Sequence, residues 1–208
     1  MYKIHIICGK SGSGKDSVMR KILEKSSSHI ADIPWTTRPM REKEHEGVEY
    51  FFRSESEFLD IKENHPDWIV EYREYETNQG KWIYWHQRIP DDKLHGKHVV
   101  TIGTPDMIEK YVEAYGEENI NVIYLKVSML TQLTRLMRRE DRQIHKDYRE
   151  LCRRVISDQD WDINPAMMPN AICSNLGCTY TEVNAELDFP TVVQNVRNVM
   201  DLFEVDEY

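Results

Sequence analysis

The chain has few of the features that would place it in a membrane or on nucleic acid. Its 208 residues contain no apolar run approaching the ~20 residues that a membrane-spanning helix needs, so no membrane partner is expected. Basic residues are fewer than acidic ones, 27 against 36, and the formal net charge is -9. Because there is no basic excess to neutralise phosphates, a general nucleic-acid surface is not expected either. Any anion site must therefore depend on local positive charge.

Cysteine is also scarce. Its four positions, Cys8, Cys152, Cys173 and Cys178, are scattered along the chain, which does not suggest a disulfide framework. Cys173 and Cys178 lack a second pair or a nearby histidine cluster in the sequence, so a zinc site built on them is not predicted. The chain starts directly with a strand-like segment, so we expect no signal or transit segment and a cytoplasmic protein.

A glycine-rich stretch follows the first apolar segment and precedes an amphipathic helical pattern. Strand, glycine loop, lysine and helix in this order are typical of a P-loop. Glycine lets backbone N–H groups turn inward toward phosphate oxygens, and the helix adds the positive end of its dipole. The lysine would reach the β- and γ-phosphates. The predicted nucleotide-binding residues are Gly9, Lys10, Ser11, Gly12, Ser13, Gly14 and Lys15.

The residue after the lysine departs from the usual P-loop. That position normally carries a Ser or Thr hydroxyl for Mg²⁺, but here it is Asp16, and Ser17 comes one residue late. A carboxylate is a hard oxygen ligand suited to Mg²⁺. Two interpretations of Asp16 stay open: a magnesium ligand, or a negative charge that favours the start of the helix.

Two arginines close together form a second candidate anion site. Arg38 and Arg41 flank Pro39, which prevents a helix there, and an acidic loop and an aromatic segment containing Tyr50 follow. A planar guanidinium binds a phosphate bidentately, so two of them with a tyrosine hydroxyl would form a socket for a phosphate dianion. Taken alone, the segment also fits a charged surface loop.

The segment Thr36-Thr37-Arg38-Pro39-x-Arg41-x-x-Glu44-x-x-Gly47-x-x-Tyr50 resembles the acceptor-binding segment of guanylate kinases, and it lies at the spacing from the P-loop seen in that family. The resemblance extends over most of the chain. It implies that Arg38, Arg41 and Tyr50 hold the phosphate of a nucleoside monophosphate, with Glu44 at the edge of that site. It also implies ATP and Mg²⁺ as cofactors.

The same resemblance suggests residues that would read the base. Glu71, in a strand-like segment, is the best match to the glutamate that the family presents to guanine, although a solvent-facing strand glutamate is an equal alternative. Tyr84 is the candidate for a second phosphate-binding tyrosine. Trp85 and His86 stand where the family has a glycine and a hydroxyl residue, so the phosphate socket is better supported than the preference for guanine.

Two arginine-rich helical segments follow the central strands. The first repeats Leu130, Leu133, Leu136 and Met137 at helical spacing, and the second is expected to turn Tyr148, Leu151, Cys152 and Val155 inward. They resemble the lid of guanylate kinases, in which Arg139 and Arg154 match the catalytic arginines; solvated helix faces are the alternative. Asn184 matches an asparagine that the family places near the adenine.

Alternating strands and helices that begin at a P-loop predict an α/β protein with a parallel sheet covered by helices on both faces, the P-loop kinase fold. We expect one guanylate-kinase-like domain over 1–208, with its core in 1–34, 91–127 and 158–208. An acceptor-binding lobe would occupy 35–90 and a lid 128–157. Residues 160–178 contain two prolines and fit no period, which predicts an irregular connection.

These features predict ATP-dependent phosphoryl transfer to a nucleoside monophosphate, with GMP or dGMP favoured and small nucleotides as the partners. A kinase for another phosphorylated acceptor, such as a different nucleotide or a ribose bisphosphate, remains an alternative. So does a non-catalytic binding module of the same fold. A GTPase is disfavoured because no Asn-Lys-x-Asp motif follows the P-loop. The sequence does not predict an oligomeric state.

Overall fold

The computed structural model describes residues 2–24, 26–42, 44–77, 80–144 and 146–202. The strands are β1 (Lys3–Cys8), β2 (His29–Ala31), β3 (Trp35–Thr36), β4 (Phe51–Phe52), β5 (Ile69–Thr77), β6 (Gly80–Gln87), β7 (His98–Ile102), β8 (Ile120–Lys126) and β9 (Thr179–Asn184). The helices are α1 (Lys15–Leu23), α2 (Glu55–Asn64), α3 (Asp91–Leu94), α4 (Pro105–Tyr115), α5 (Met129–Asp141), α6 (Tyr148–Ile163), α7 (Pro169–Leu176) and α8 (Phe189–Asp201). Short 3₁₀ helices cover Pro66–Trp68, Glu117–Asn119 and Pro165–Met167.

The chain divides into two compact units, one formed by Met1–Ile30 with Gly96–Tyr208 and one by Ala31–His95. The first unit contains a five-stranded parallel sheet in the order β2-β7-β1-β8-β9. β1 lies between β7 and β8 at its centre, and its side chains are almost entirely buried. Parallel neighbours need a crossover, and α4 supplies the one between β7 and β8.

Helices cover both faces of this sheet. On one face, Ile7 of β1 and Ile123 of β8 pack with α1 and α8, which bring Val18 and Val196 into the same core cluster. Successive strand residues point to opposite faces, so Ile6 faces the other side. There it lies against Gly103, just before α4, where a Cβ would meet its Cγ2 at 2.6 Å. The predicted α/β class with a parallel sheet is confirmed.

The second unit has its own mixed sheet in the order β4-β3-β6-β5. β5 and β6 form an antiparallel hairpin, and β3 joins β6 antiparallel and β4 parallel. Its small core contains Phe58 of α2 with Ile83 and Trp85 of β6. Ser54 begins α2 with a capping box in which it exchanges hydrogen bonds with Glu57.

The prediction of an irregular connection over 160–178 is wrong. α6 continues to Ile163, a 3₁₀ helix covers Pro165–Met167, and α7 covers Pro169–Leu176. Each proline sits at the first positions of its helical segment, where its missing N–H costs no hydrogen bond. The prolines therefore begin these helices, although their presence suggested an irregular segment.

The inward faces of the two arginine-rich helices also differ from expectation. In α5 the exposed side chains include Leu130 and Met137, and the buried residues are Gln132, Leu136 and Glu140. In α6 the side chains of Tyr148 and Cys152 are exposed, and the buried residues are Leu151, Val155, Asp158 and Trp161. Polar residues thus share the buried stripe of each helix, which a pattern of apolar residues alone does not reveal.

Among the helices of the described residues, none combines the length and the apolar character that a membrane crossing requires.

Replacing Ile123 with alanine should lower the free energy of unfolding by about 2–5 kcal/mol, because its fully buried side chain leaves a cavity between the sheet and the helices. Ile144→Ala is the matched control, since the Ile144 side chain is 93% exposed. Urea unfolding monitored by circular dichroism measures both variants. Equal stability of the two variants would contradict the described core.

Candidate functional site

The loop between β1 and α1 has the positive glycine φ angles that the predicted phosphate-binding loop requires. Gly12 and Gly14 adopt positive φ angles of 80° and 98°, which side chains with a Cβ rarely adopt. A Cβ on Gly12 would also meet the backbone oxygen of Gln132 at 3.2 Å, so α5 approaches the loop closely at this point. The loop ends at the first turn of α1, where unpaired N–H groups and the helix dipole favour an anion.

The side chain of Lys15 folds back over this loop. Its Nζ donates to the carbonyl oxygens of Gly9 and Lys10 at 2.5 and 3.2 Å. Burial is the main cause that lowers the pKa of Lys15 below its ordinary value, and the charge of Arg139 lowers it further. The charges of Asp16 and Asp158 act in the opposite direction. The ammonium group is thus close to carboxylates and partly withdrawn from water.

Carboxylates of α6 occupy hydrogen-bond donors of the loop. Asp158, only 9% exposed, accepts from the N–H of Ser11 at 2.7 Å and from Nε2 of Gln132 at 2.6 Å. One turn further, Asp162 forms an ion pair with Lys10. In this conformation a carboxylate is bound to a backbone N–H that the sequence assigns to a phosphate.

Arg135 of α5 holds the loop from another side. Its Nη1 lies 3.3 Å and 3.4 Å from the carbonyl oxygens of Gly12 and Ser13, and its Nη2 donates to the carbonyl of Ala185 at 2.8 Å. The sequence reasoning missed Arg135 and Asp158 as residues of the loop. The only available signal for Asp158 was its spacing, since it continues the stripe of Leu151 and Val155.

The two predicted lid arginines lie in different surroundings. Arg139 is exposed, and its charge acts on Lys15. Arg154 is half-buried and donates from Nε to Oε1 of Glu150 at 2.7 Å, while Arg153 binds the same carboxylate through two nitrogens. The hydrogen bond from Arg153 is the main cause that lowers the pKa of Glu150 to about 2. Arg154 is therefore engaged on its own helix.

In the second unit, the structure brings four of the predicted residues together. The guanidinium of Arg38 is 4% exposed, donates to Oε1 of Glu44 at 2.8 Å and lies 5.3 Å from the ring centre of Tyr50. Tyr84 also hydrogen-bonds Arg38, and its ring packs edge-on against Tyr50 at 5.6 Å. These residues, Arg38, Glu44, Tyr50 and Tyr84, form what we call the Arg38 cluster.

Glu44 organises the turn of this cluster. Its second oxygen accepts from the backbone N–H of Arg41 at 2.9 Å, while the Arg41 side chain is exposed. The hydrogen bond from Arg38 is the main cause that lowers the pKa of Glu44 below its ordinary value. The carboxylate is thus kept charged, and Arg38 and the Arg41 backbone are held in fixed positions.

Comparison with known proteins identifies the family. A guanylate kinase family model matches residues 1–154. The chain belongs to the guanylate kinase family. The family assignment made from the sequence is confirmed.

Individual guanylate kinases align with only part of the chain. The enzyme of Thermotoga maritima is 40% identical over 57 residues, or 27% of this chain and 28% of that protein. That of Sulfurimonas denitrificans is 37% identical over 75 residues, or 36% of this chain and 35% of that protein. The chain therefore matches well under two thirds of the length of these relatives.

A solved guanylate kinase shares the fold. The crystal structure of guanylate kinase from Anaplasma phagocytophilum matches 99% of this chain and 87% of its own, with a TM-score of 0.62 and 19% identity. At this identity the match shows the fold alone. The P-loop kinase fold is thereby confirmed.

In this guanylate kinase family member, Asp16 is exposed on the first turn of α1, and Ser17 beside it is half-buried. Mg²⁺ usually takes one or two protein carboxylates together with phosphate oxygens and waters. A single exposed carboxylate beside Lys15 fits that donor set. Its role as a metal ligand stays a prediction.

Asn184 and Glu71 have other partners. Asn184 ends β9, and its Oδ1 accepts from the N–H of Glu186 at 2.9 Å. Glu71 lies in a partly buried ionic group, 3.3 Å from Nε of Arg73 and 3.9 Å from Nε2 of His86. Burial works to lower the pKa of His86, but the charge and hydrogen bond of Asp32, 3.0 Å away, outweigh it and raise this pKa.

The contact of Asp158 with the loop gives a prediction about nucleotide binding. Replacing Asp158 with alanine removes a carboxylate that competes for the Ser11 N–H and repels phosphate. We expect the affinity for ATP to rise by about tenfold, the equivalent of one hydrogen bond to a charged group. Isothermal titration calorimetry with ATP and Mg²⁺ measures this affinity. Asp160→Ala, an exposed carboxylate on the same helix, is the control and should bind as the unaltered protein does. Unchanged or weaker binding by Asp158→Ala would contradict the competition.

Proposed function

We propose that this protein transfers the γ-phosphoryl group of ATP to a nucleoside monophosphate, with GMP or dGMP as the favoured acceptor. The observation that carries the proposal is the Arg38 cluster. A guanidinium that is 4% exposed, oriented by Glu44 and accompanied by two tyrosines, suits a phosphate monoester, and it occurs in a chain that also has a P-loop. Guanylate kinases among the relatives support the choice of acceptor.

The loop would bind the donor. Backbone N–H groups of residues 11–15 and the start of α1 would receive the β-phosphate, and Lys15 would turn from the carbonyls of Gly9 and Lys10 to the phosphates. Asp158 would release the Ser11 N–H as the phosphate arrives. Asn184, at the carboxyl end of β9, is the proposed contact for adenine.

The Arg38 cluster would bind the acceptor phosphate. Arg38 is already ordered, so little side-chain entropy is lost on binding. Arg41, whose backbone is fixed by Glu44 and whose side chain is exposed, would supply a second guanidinium. The hydroxyls of Tyr50 and Tyr84 would add hydrogen bonds to the phosphate oxygens.

Arginines of the proposed lid would stabilise the phosphoryl group in transfer. Arg139 acts on the charge of Lys15 already, whereas Arg154 would have to leave Glu150. Positioning and charge neutralisation supply most of the catalysis in phosphoryl transfer. Mg²⁺, held with the help of Asp16, would neutralise charge on the phosphates. A closed lid would exclude water, which otherwise competes as the acceptor.

One observation favours a second candidate, a kinase for a different phosphorylated acceptor. The carboxylate of Glu71 already lies beside Arg73 and His86, so it is not poised as an isolated acceptor for the N1–H and amino group of guanine. His86 and the buried Trp85 also replace the smaller residues of the family at this place. Every argument about phosphate binding is unchanged by this alternative.

The acceptor assay separates these candidates. We expect ADP formation from ATP and Mg²⁺ to depend on GMP or dGMP, measured by a coupled assay with AMP, CMP, UMP and dTMP in parallel. Turnover of another nucleotide, or of a ribose bisphosphate, would support the second candidate. Absence of turnover with every acceptor would contradict a kinase and leave a binding module of the same fold.

The exposed guanidinium of Arg41 gives a sharper test of the acceptor site. We expect Arg41→Met to lower kcat/KM for the acceptor by on the order of 10²-fold, because one phosphate-binding charge is lost. The affinity for ATP should not change. Arg88→Met is the control, since Arg88 is an exposed arginine of the same unit that the proposal does not use. Unaltered kinetics of Arg41→Met would count against the assignment.

A further inference from the structure

Three histidines meet on one face of the parallel sheet. His29 begins β2, His98 begins β7, and His5 lies in β1. The register pairs Lys3 with His98 and His5 with Val100, and alternate residues of a strand share a face, so His5 and His98 point to the same side. One ring nitrogen of each histidine lies within 4.8 Å of one ring nitrogen of each of the other two. We call these residues the histidine cluster.

The distances suit a common ion. Nε2 of His5 and Nδ1 of His98 form a hydrogen-bonded pair 3.1 Å apart. Two imidazole nitrogens bound to one tetrahedral Zn²⁺ at about 2.0–2.1 Å lie about 3.3 Å apart. This pair therefore already has the spacing of two ligands. The third nitrogen, on His29, has to approach by no more than about 1.5 Å to complete the set.

The outer contacts of His29 orient it as a ligand. Its Nδ1 lies 2.6 Å from Oγ of Ser26 and 3.2 Å from Oγ of Ser28. With a proton on Nδ1 donated to a serine, Nε2 carries the lone pair. That Nε2 is buried and has no hydrogen-bond partner among the described residues. Ligating histidines in proteins are held in this way, through the nitrogen that does not bind the metal.

Asn121 orients the ring of His5 in a similar way. It lies directly opposite His5 in the neighbouring strand β8, and its side-chain amide is 3.0 Å from Nδ1 of His5. The Oδ1 of Asn121 is buried and has no partner within the described part of the chain. A half-turn of this amide lets Oδ1 accept from Nδ1–H, which gives the lone pair of His5 to Nε2.

We propose that His5, His29 and His98 bind one Zn²⁺ ion at the amino-terminal end of the sheet. Three imidazoles and a fourth position for water match the preferences of zinc, whereas the Mg²⁺ of a nucleotide site prefers oxygen ligands. His5 lies four residues before Gly9, about 13 Å along an extended strand, so this ion is remote from the P-loop. It ties the short edge strand β2 to β7 and β1.

The first test measures metal binding to the full chain. The protein is stripped with a chelator, loaded with Zn²⁺ and analysed by inductively coupled plasma mass spectrometry. We expect one zinc per chain, and binding at least about tenfold weaker in His29→Ala. His95→Ala, an exposed histidine outside the cluster, should bind as the unaltered protein does. Zinc should raise Tm in the unaltered protein and in the control but not in His29→Ala.

The second test identifies the ligands without any substitution, in case His29→Ala fails to fold. X-ray absorption of the zinc-loaded chain should show nitrogen neighbours at about 2.0–2.1 Å and no sulfur at about 2.3 Å, which excludes the cysteines. Cobalt in place of zinc should give the visible bands of a tetrahedral site. Failure to bind a stoichiometric zinc, a sulfur shell, or full binding by a folded His29→Ala would each overturn the proposal.

Discussion

The candidate site in the first unit depends on backbone N–H groups of the loop after β1 that need an acceptor. Such groups are costly to leave without partners when they are buried. Here Asp158, from a helix much later in the chain, accepts from the N–H of Ser11, and Arg135 donates to the carbonyls of Gly12 and Ser13 on the same loop. The loop is thus held in shape by α5 and α6, the same helices that carry the arginines proposed to act on the phosphoryl group.

This arrangement couples the loop to these helices. A phosphate bound as proposed would replace the carboxylate of Asp158, and a displaced α6 would also lose the ion pair between Asp162 and Lys10. Binding and movement of α6 would then be parts of one equilibrium. Gln132, on the inward face of α5, is polar because its buried side chain donates to the same carboxylate.

In the second unit a buried charge is likewise offset by its neighbours, but here the buried charge is positive. Arg38 is a buried cation whose desolvation is offset by Glu44 and by the faces and hydroxyls of neighbouring aromatic residues. A chain with a net charge of -9 thereby buries a guanidinium whose charge is balanced locally by Glu44. Glu150 holds Arg153 and Arg154 in a comparable manner on the surface of α6, where solvent weakens the pairing.

The sequence by itself determined most of the succession of strands and helices along the chain, the glycine loop and the family, because these are recorded in local patterns. The grouping of Arg38, Glu44 and Tyr50 was accessible as well, since it lies within a few residues of chain. The helices over 160–178 were missed because a proline that begins a helix looks, in sequence, like one that ends it.

Only the tertiary structure decided which distant side chains meet. Asp158 reaches Ser11 across 147 residues, and His98 reaches His5 across 93. Neither contact has a periodic signature, because one depends on how α6 packs on the loop and the other on the register of β7 against β1. Strand order and helix packing are set by burial of the whole apolar core, so no local stretch of sequence contains that information.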